Sequence, residues 1–397
     1  MARPFCLGVG VLIGQQVTVV GAGIAGLAVA RALALRGAYV TVLEQADAIR
    51  EVGAGLQVSP NGARVLQALG LTLDGVRAAA VELRDGLDDR LVTRLEVGRL
   101  RPDQGYHFVQ RADLIGLLLA GAVAAGVRMQ LLSRVAAVDL TGTRPVLRME
   151  DESAVEAGLL IGADGLHSRL RGALNGPSAP VFTGQVAWRA IIPGDRGPAL
   201  AEVHMGPGRH LVSYPLRDGT LRNIVAVEER RAWAAESWSL RDDPMELQLA
   251  FKTFSPRVRG WLDQVQDVHL WGLVRHPVAA VWQRVLPGGA AAILGDAAHP
   301  TLPFLAQGAS MGLEDAWVLA ASLASHDTMA AGLAAYQQAR AARSARIVNA
   351  AARNARAYHL GGMPRLVAHA VLRFGGWLAP DLALRRFDWL YGFDATL

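Results

Sequence analysis

Gly21, Gly23 and Gly26 follow an apolar run in VTVVGAGIAGLAVARALALRGAYVTVLEQ, Val17 to Gln45, and a second apolar run ends on Glu44. Glycines at this spacing can hold a dinucleotide. Gly21 permits a tight turn, Gly23 lets a pyrophosphate approach the backbone, and Gly26 lets helix and strand pack closely. A helix that begins there offers free N–H groups and positive potential to phosphates, and an acid after the next strand accepts hydrogen bonds from a ribose diol. The pattern serves NAD and FAD equally. Two distant stretches repeat the pairing of glycine with carboxylate. LLIGADGLHSRLR, Leu159 to Arg171, turns through Gly162, Asp164 and Gly165 towards Ser168 and Arg169. AAILGDAAHPTLPFLAQGASMGLEDAWVLA, Ala291 to Ala320, passes Gly295 and Asp296 and then a proline-studded loop.

The pattern also predicts the elements that must position these residues. Gln16 to Val20 is β-branched and reads as a strand, Leu27 to Leu35 as a helix broken by Gly37, and Tyr39 to Leu43 as a second strand. This is a βαβ unit with Glu44 at its end. The other two stretches each predict a strand, a turn and a helix, the last helix opening at Gly308, so every carboxylate stands beside a strand end. The chain has 397 residues, 52% hydrophobic and 19% charged, which suits one large globular domain or two joined ones and excludes a disordered chain.

Cys6 is the only cysteine, which excludes an internal disulfide and a cysteine-ligated metal or iron–sulfur site and suits a reducing cytoplasm. The net charge of +5 is carried almost wholly by arginine, Lys252 being the only lysine. No basic stripe interleaves with aromatics, so a solvated surface is expected rather than a nucleic-acid footprint. FCLGVGVLIG, Phe5 to Gly14, is too short for a membrane span and a poor signal peptide; a disordered or strand-extending tail is expected there. No other segment reaches about 18 uninterrupted apolar residues, and no stable membrane insertion is expected.

The three motifs, in this order and at this spacing, resemble those of the single-component FAD-dependent aromatic hydroxylases, the para-hydroxybenzoate hydroxylase group. GAGLQVSPNGARVLQALGL (Gly53 to Leu71), TGQVAWRAIIP (Thr183 to Pro193) and DWLYGFDAT (Asp388 to Thr396) look most like the salicylate hydroxylase branch, and the similarity runs over nearly the whole chain from Val17. The resemblance implies FAD as the cofactor. Glu44 would bind the adenosine ribose, Asp296 the ribityl chain, and Arg111 of QRADLIGLL would lie along the cofactor. Asp164 and its flanking glycines would serve FAD and reduced nicotinamide, and Gly308 to Gly312 would present backbone amides to the flavin ring, where a helix N-terminus suits the negative charge of the reduced form. Gln45 departs from the pattern, since many relatives carry a base there.

The resemblance further implies an α/β fold. Residues 15–75, 105–180 and 285–325 would build a Rossmann-like FAD-binding domain from discontinuous segments, and 76–104 and 181–284 an antiparallel-sheet substrate domain. Residues 326–397 would add C-terminal helices. In that region Tyr336, Ile347 and Val348 form an apolar stripe that predicts a helical cap or an oligomer contact, such as a homodimer.

The activity implied is hydroxylation of a small, hydroxybenzoate-like aromatic by O₂ and NADH or NADPH through a flavin C4a-hydroperoxide. It requires no metal and favours a mostly apolar pocket with few polar anchors. Pro303 matches the family position whose backbone lies near the peroxide. In RHLVSYPL a strand puts His210, Val212 and Tyr214 on one face and Leu211 and Ser213 on the other. Tyr214 and His210 can orient a ring; a core tyrosine and a surface histidine are the plain alternatives. Ser213 stands where some hydroxybenzoate-acting relatives carry histidine, and serine is no base near neutral pH, so either another residue activates the ring or the substrate differs. His299 reads as a loop-ordering residue. Two other readings stay open: a flavin oxygenase acting on a larger ring such as a quinone precursor, and a flavin-binding protein without turnover.

Overall fold

The computed structural model describes residues 11–49, 55–100, 105–231, 241–378 and 385–397. The expectation for the N-terminal tail lies outside the described residues up to residue 10. Residues 11–14 form a turn, with Leu12 buried in the main core.

A six-stranded sheet runs in the order 283–286, 289–293, 159–162, 16–20, 39–43, 128–130. The pairs are parallel except the edge hairpin 283–286/289–293. Val20 lies level with Gly162 and Leu43, and Gly162 with Ile293. The three glycine–carboxylate motifs and Glu44 therefore leave the sheet together, at the carboxyl ends of adjacent parallel strands, which is where open α/β sheets bind their ligands. The helix Ile24–Ala34 packs on the helices Arg111–Ala124 and Gly308–Ser325 and buries Leu27, Val29 and Leu33.

A second sheet of eight strands has the order 241–242, 268–275, 181–193, 221–229, 209–216, 200–206, 80–85, 91–95. It is antiparallel except at 200–206/80–85, a parallel junction made where the segment 76–104 joins the rest. One face carries Val186, Trp188 and Leu211 against the short helices Pro244–Ala250 and Pro256–Leu262. The opposite face packs on the loop around Leu302 and Phe304 and on the helix Met329–Tyr358. Tyr336, Ile347 and Val348 of that helix are all buried within the chain, so the stripe is a cap over the junction of the two sheets. Among the described residues no helix is long and apolar enough to cross a membrane.

Candidate active site

Gly21 has φ +98°, and a Cβ on it would lie 2.5 Å from the Ala163 carbonyl oxygen; a Cβ on Gly26 would lie 1.9 Å from that of Gly21. These two glycines close the motif onto the neighbouring strand end. A Cβ on Gly23 would meet nothing within 4 Å, which leaves an open groove over the helix start. The first intrahelical bond there is Leu27 N–H to Gly23 O, no side chain caps the helix, and no acid sits in its first turn. The amides of residues 24–26 and the positive helix end thus face the groove uncompensated, as an anion requires. Glu44 accepts from the amides of Ala22 (2.8 Å) and Ala46 (2.9 Å). That fixes the carboxylate and leaves lone pairs for a diol.

Asp296 is exposed although the residues beside it are buried. Its carboxylate lines a cleft crowded by protein. Burial pushes its pKa up, with His299 and Arg111 pulling it back. Arg111, the first residue of its helix, is thereby brought to the same cleft. Asp164 Oδ2 accepts from the Arg169 amide at 2.8 Å, while its buried Oδ1 has no partner, and burial raises this carboxyl too. An uncompensated helix end, an orphaned carboxylate oxygen and an accessible carboxylate in a cleft together fit a dinucleotide with a polyol chain.

Other residues hold this groove, and sequence reasoning did not single them out. Arg171, rather than the exposed Arg169, ties the second motif to the third: its guanidinium donates to the carbonyls of Pro277, Ala297 and Ala298. Asp315 accepts from the Gly295 amide (2.9 Å) and from His299 Nε2 (2.5 Å), and so fixes the turn that carries Asp296. His299 is a loop-ordering residue, packed against Trp282 with the rings tilted 42° and their centroids 5.2 Å apart. Burial alone would raise the Asp315 carboxyl, but His299 and Arg340 hold it at about 2.

The helix Gly308–Ser325 starts in the same groove with the amides of residues 308–310 free and no side-chain cap, Met311 N–H being the first to bond back, to Gln307. Gly312 departs from the expectation placed on it. It lies beyond the free first turn, and its missing side chain serves packing, since a Cβ there would lie 3.1 Å from Ala25 Cβ. The residues SPNG explain how that helix end is held. Gln307 donates to Ser59 Oγ (3.0 Å), Asn61 donates to Gln307 (3.1 Å) and to Glu314 (2.7 Å), and Ser59 and Ser310 share a hydrogen bond. The C-terminal DWLYGFDAT is clamped in turn: Arg64 donates to the carbonyls of Tyr391 and Phe393, and Arg343 to those of Trp389 and Leu390.

On the second sheet, the alternation read from RHLVSYPL is present. His210 lies opposite Val227, Val212 opposite Val225 and Tyr214 opposite Asn223, while Val225 and Asn223 lie opposite Arg189 and Ile191 of the next strand. His210, Tyr214 and Arg189 therefore share the face that meets the Leu302–Phe304 loop. His210 is not a surface histidine: it is 1% exposed and packs on Phe304 and Tyr358 with ring centroids 5.2 Å away in each case. Burial and the neighbouring His359 push its pKa well below the ordinary histidine value. Tyr214 is buried beside Phe108; burial raises its hydroxyl pKa, and Arg189 is near enough to oppose the shift. Arg189 lies over the Trp271 ring at 4.1 Å. Pro303 begins a short turn through Leu305 and is partly exposed, with Phe304 behind it against His210.

Ser213 points the other way and accepts from Arg222 Nη1 at 2.9 Å, with that guanidinium over Trp261.

Residues 15–351 match the family described as FAD binding domain. The 3-amino-4-hydroxybenzoate 2-monooxygenase of Streptomyces platensis is 37% identical over 79% of this chain and 80% of its own length. The 3-hydroxybenzoate 6-hydroxylase of Polaromonas naphthalenivorans is 34% identical over 95% of this chain and 96% of its own. A salicylate hydroxylase substrate complex superposes with a TM-score of 0.79 at 24% identity, covering 96% of both chains. The chain belongs to the FAD-binding-domain family, and it is an FAD-dependent aromatic monooxygenase.

Because Ser213 faces away from the groove, Ser213→Ala is expected to leave the pH profile of single-turnover hydroxylation unchanged. It should cost about 1.5–3 kcal/mol of stability for the lost buried hydrogen bond to the charged Arg222. A displaced pH midpoint would connect Ser213 to the ring after all.

Proposed function

We propose that the enzyme hydroxylates a small aromatic acid of the hydroxybenzoate class, using NADH or NADPH as reductant, in the cytoplasm. Bound FAD, once reduced, activates O₂ so that one oxygen atom is transferred to the ring. In this reading Gly21, Gly23 and Gly26 admit the pyrophosphate, Glu44 holds the adenosine ribose, and Asp296 and Arg111 hold the ribityl region. Asp164 borders the same groove, and the amides from Gly308 meet the flavin ring.

The observation that carries the substrate reading is the set Arg189, His210 and Tyr214 on one sheet face beneath the Pro303 loop. Arg189 supplies a cation for the carboxylate and Tyr214 a buried ring and hydroxyl. His210, kept neutral by burial, accepts the phenolic proton at Nε2, because Nδ1 is engaged by His359. Removing that proton enriches the ring in electrons at the carbons ortho and para to the oxygen. The Pro303 turn and Phe304 keep water from the reacting carbon. The relatives' names, both hydroxybenzoate monooxygenases, support the same class.

The test is a panel of hydroxybenzoates and the matching phenols without a carboxylate, scored for nicotinamide oxidation and for hydroxylated product. The acids are expected to react and the phenols to lag. Arg189→Met is expected to raise KM for the acids roughly 10- to 100-fold, the loss of a hydrogen bond between charged groups, and to leave the phenols unaffected. Equal use of acids and phenols by the wild type would sink the carboxylate reading.

A further inference from the structure

The helix Gly362–Leu378 lies along the edge strand 91–95 of the second sheet with its polar side inward. Arg365 Nη1 and His369 Nδ1 both reach Asp85 Oδ2, the latter at 3.1 Å, and Arg373 Nε donates to the Leu91 carbonyl at 3.1 Å. Gly376 lets the helix lie close, since a Cβ on it would stand 3.2 Å from Thr93 Oγ1. The apolar side faces out. Trp377 is 77% exposed, Met363 69% and Val371 66%, with Leu366, Val367, Phe374 and Leu378 all above one half. At about 100° per residue these side chains fall on one stripe that no charge interrupts. Single exposed apolar residues are ordinary, but a stripe about 25 Å long is a surface that needs a cover.

We propose that this stripe is the interface between two copies of the chain, packed as an antiparallel helix pair about a two-fold axis beside Ala370 and Val371. The exposed stripe presents on the order of 800 Å², which is what one partner of a standard interface buries. Because it bears no charge, whatever covers it must be apolar over the same length, and a second copy supplies that surface by symmetry. A helix that rests on an anionic membrane aims cations at the headgroups from the border of its apolar face. Here Arg365 and Arg373, the only charged residues of the helix, are turned inward onto Asp85 and the Leu91 carbonyl.

The order of side chains along the stripe sets the register. A two-fold axis at its midpoint lays Val371 against Val371, with Phe374 against Val367, Trp377 against Leu366 and Leu378 against Met363 of the other copy. Both aromatic rings thus meet smaller aliphatic side chains, as close packing requires, and the opposed helix dipoles attract. A parallel pair would set Phe374 against itself and bring like helix ends together. Ala370, small and exposed, stands near the axis and lets the two backbones approach. The stripe is distinct from Tyr336, Ile347 and Val348, which are buried within one chain.

The FAD-loaded full chain is expected to sediment as a dimer at micromolar concentration. Val371→Arg sets two guanidinium groups against each other at the axis and is expected to weaken the dimer roughly 100-fold or more, leaving a monomer. Because Val371 is exposed in the single chain, flavin content and thermal midpoint should stay close to those of wild-type monomer obtained by dilution. Register is read by disulfide cross-linking in a Cys6→Ser background, which removes the only native thiol. Val371→Cys is expected to cross-link on mild oxidation, since the two positions stand about 1.5 Å apart along the helix axis. Phe374→Cys alone is not, because an antiparallel pair holds those positions about 10 Å apart along the axis; adding Val367→Cys to the same chain should restore the link. A monomeric wild type overturns the proposal, and its co-sedimentation with phosphatidylglycerol vesicles would assign the stripe to lipid instead. A dimer that Val371→Arg leaves intact also overturns it, by placing the contact elsewhere. Cross-linking through Phe374→Cys alone overturns the antiparallel pairing.

Discussion

Asp315→Ala is expected to lower folding stability by about 3–5 kcal/mol, the cost of leaving a buried charge without its partner. Arg340 is fully buried between Glu314 (2.5 Å) and Asp315 (2.7 Å), and Asp315 also holds the Gly295 amide and His299. Alanine would leave the Gly295 amide and His299 without their acceptor and Arg340 with only Glu314, whose charge is shared with Arg343. The pH dependence gives a second signature. Asp315 is held at about 2, below its ordinary 3.8, so the stability it contributes is complete above pH 3.8 and fades as pH falls through 2. The variant should lose this part of the acid sensitivity. Urea midpoints of the flavin-free protein at neutral and acid pH measure both effects, and a loss below about 1 kcal/mol would show that Glu314 alone neutralises Arg340.

Asp296→Ala should have the opposite balance of effects. Flavin affinity is expected to fall by about 1–3 kcal/mol, roughly 5- to 150-fold, for the loss of a charge-assisted hydrogen bond. The flavin-free protein, however, should be at least as stable as the wild type. Asp296 is exposed, so without flavin its side chain adds little to the stability of the fold. Glu44→Ala, by contrast, removes the acceptor of two backbone amides and should weaken both fold and flavin. Fluorescence of released flavin gives the affinities. Full flavin affinity in Asp296→Ala would show that the ribityl contact has been assigned to the wrong residue.

The glycine–carboxylate motifs were legible because each is local: a strand, a turn and a helix start within about a dozen residues, governed by steric rules that act on neighbours. The faces of RHLVSYPL were legible for the same reason, since a strand alternates whatever surrounds it. Arg189 was hidden within VAWRAIIP because its meaning depends on a register two strands away from Val212. Asp315 and Arg340 looked like ordinary helix residues, and only the packing of two helices turns them into a buried ion pair. His359 lies in a stretch rich in alanine and arginine, where nothing local signals that its ring meets His210 across 149 residues of chain. The parallel junction 200–206/80–85 was equally out of reach, because strand direction at a domain joint is set by topology rather than by pattern. Gly312 misled because glycine near a helix start serves ligand approach and helix packing with the same residue type.

The clamp on residues 389–393 also orders events during synthesis. Arg64 lies on the same short helix as Asn61, which with Ser59 secures Gln307 and the helix start behind it, and Arg343 bonds to that same late segment. The strand 289–293 must likewise slot beside 159–162, which emerged from the ribosome much earlier. A growing polypeptide can therefore shape the Gly21 turn and fix Glu44 early, yet the helix start at Gly308 is braced only after residue 393 has cleared the exit tunnel. Truncation before residue 389 is therefore expected to loosen the Gly308 helix start while leaving the Gly21 turn formed.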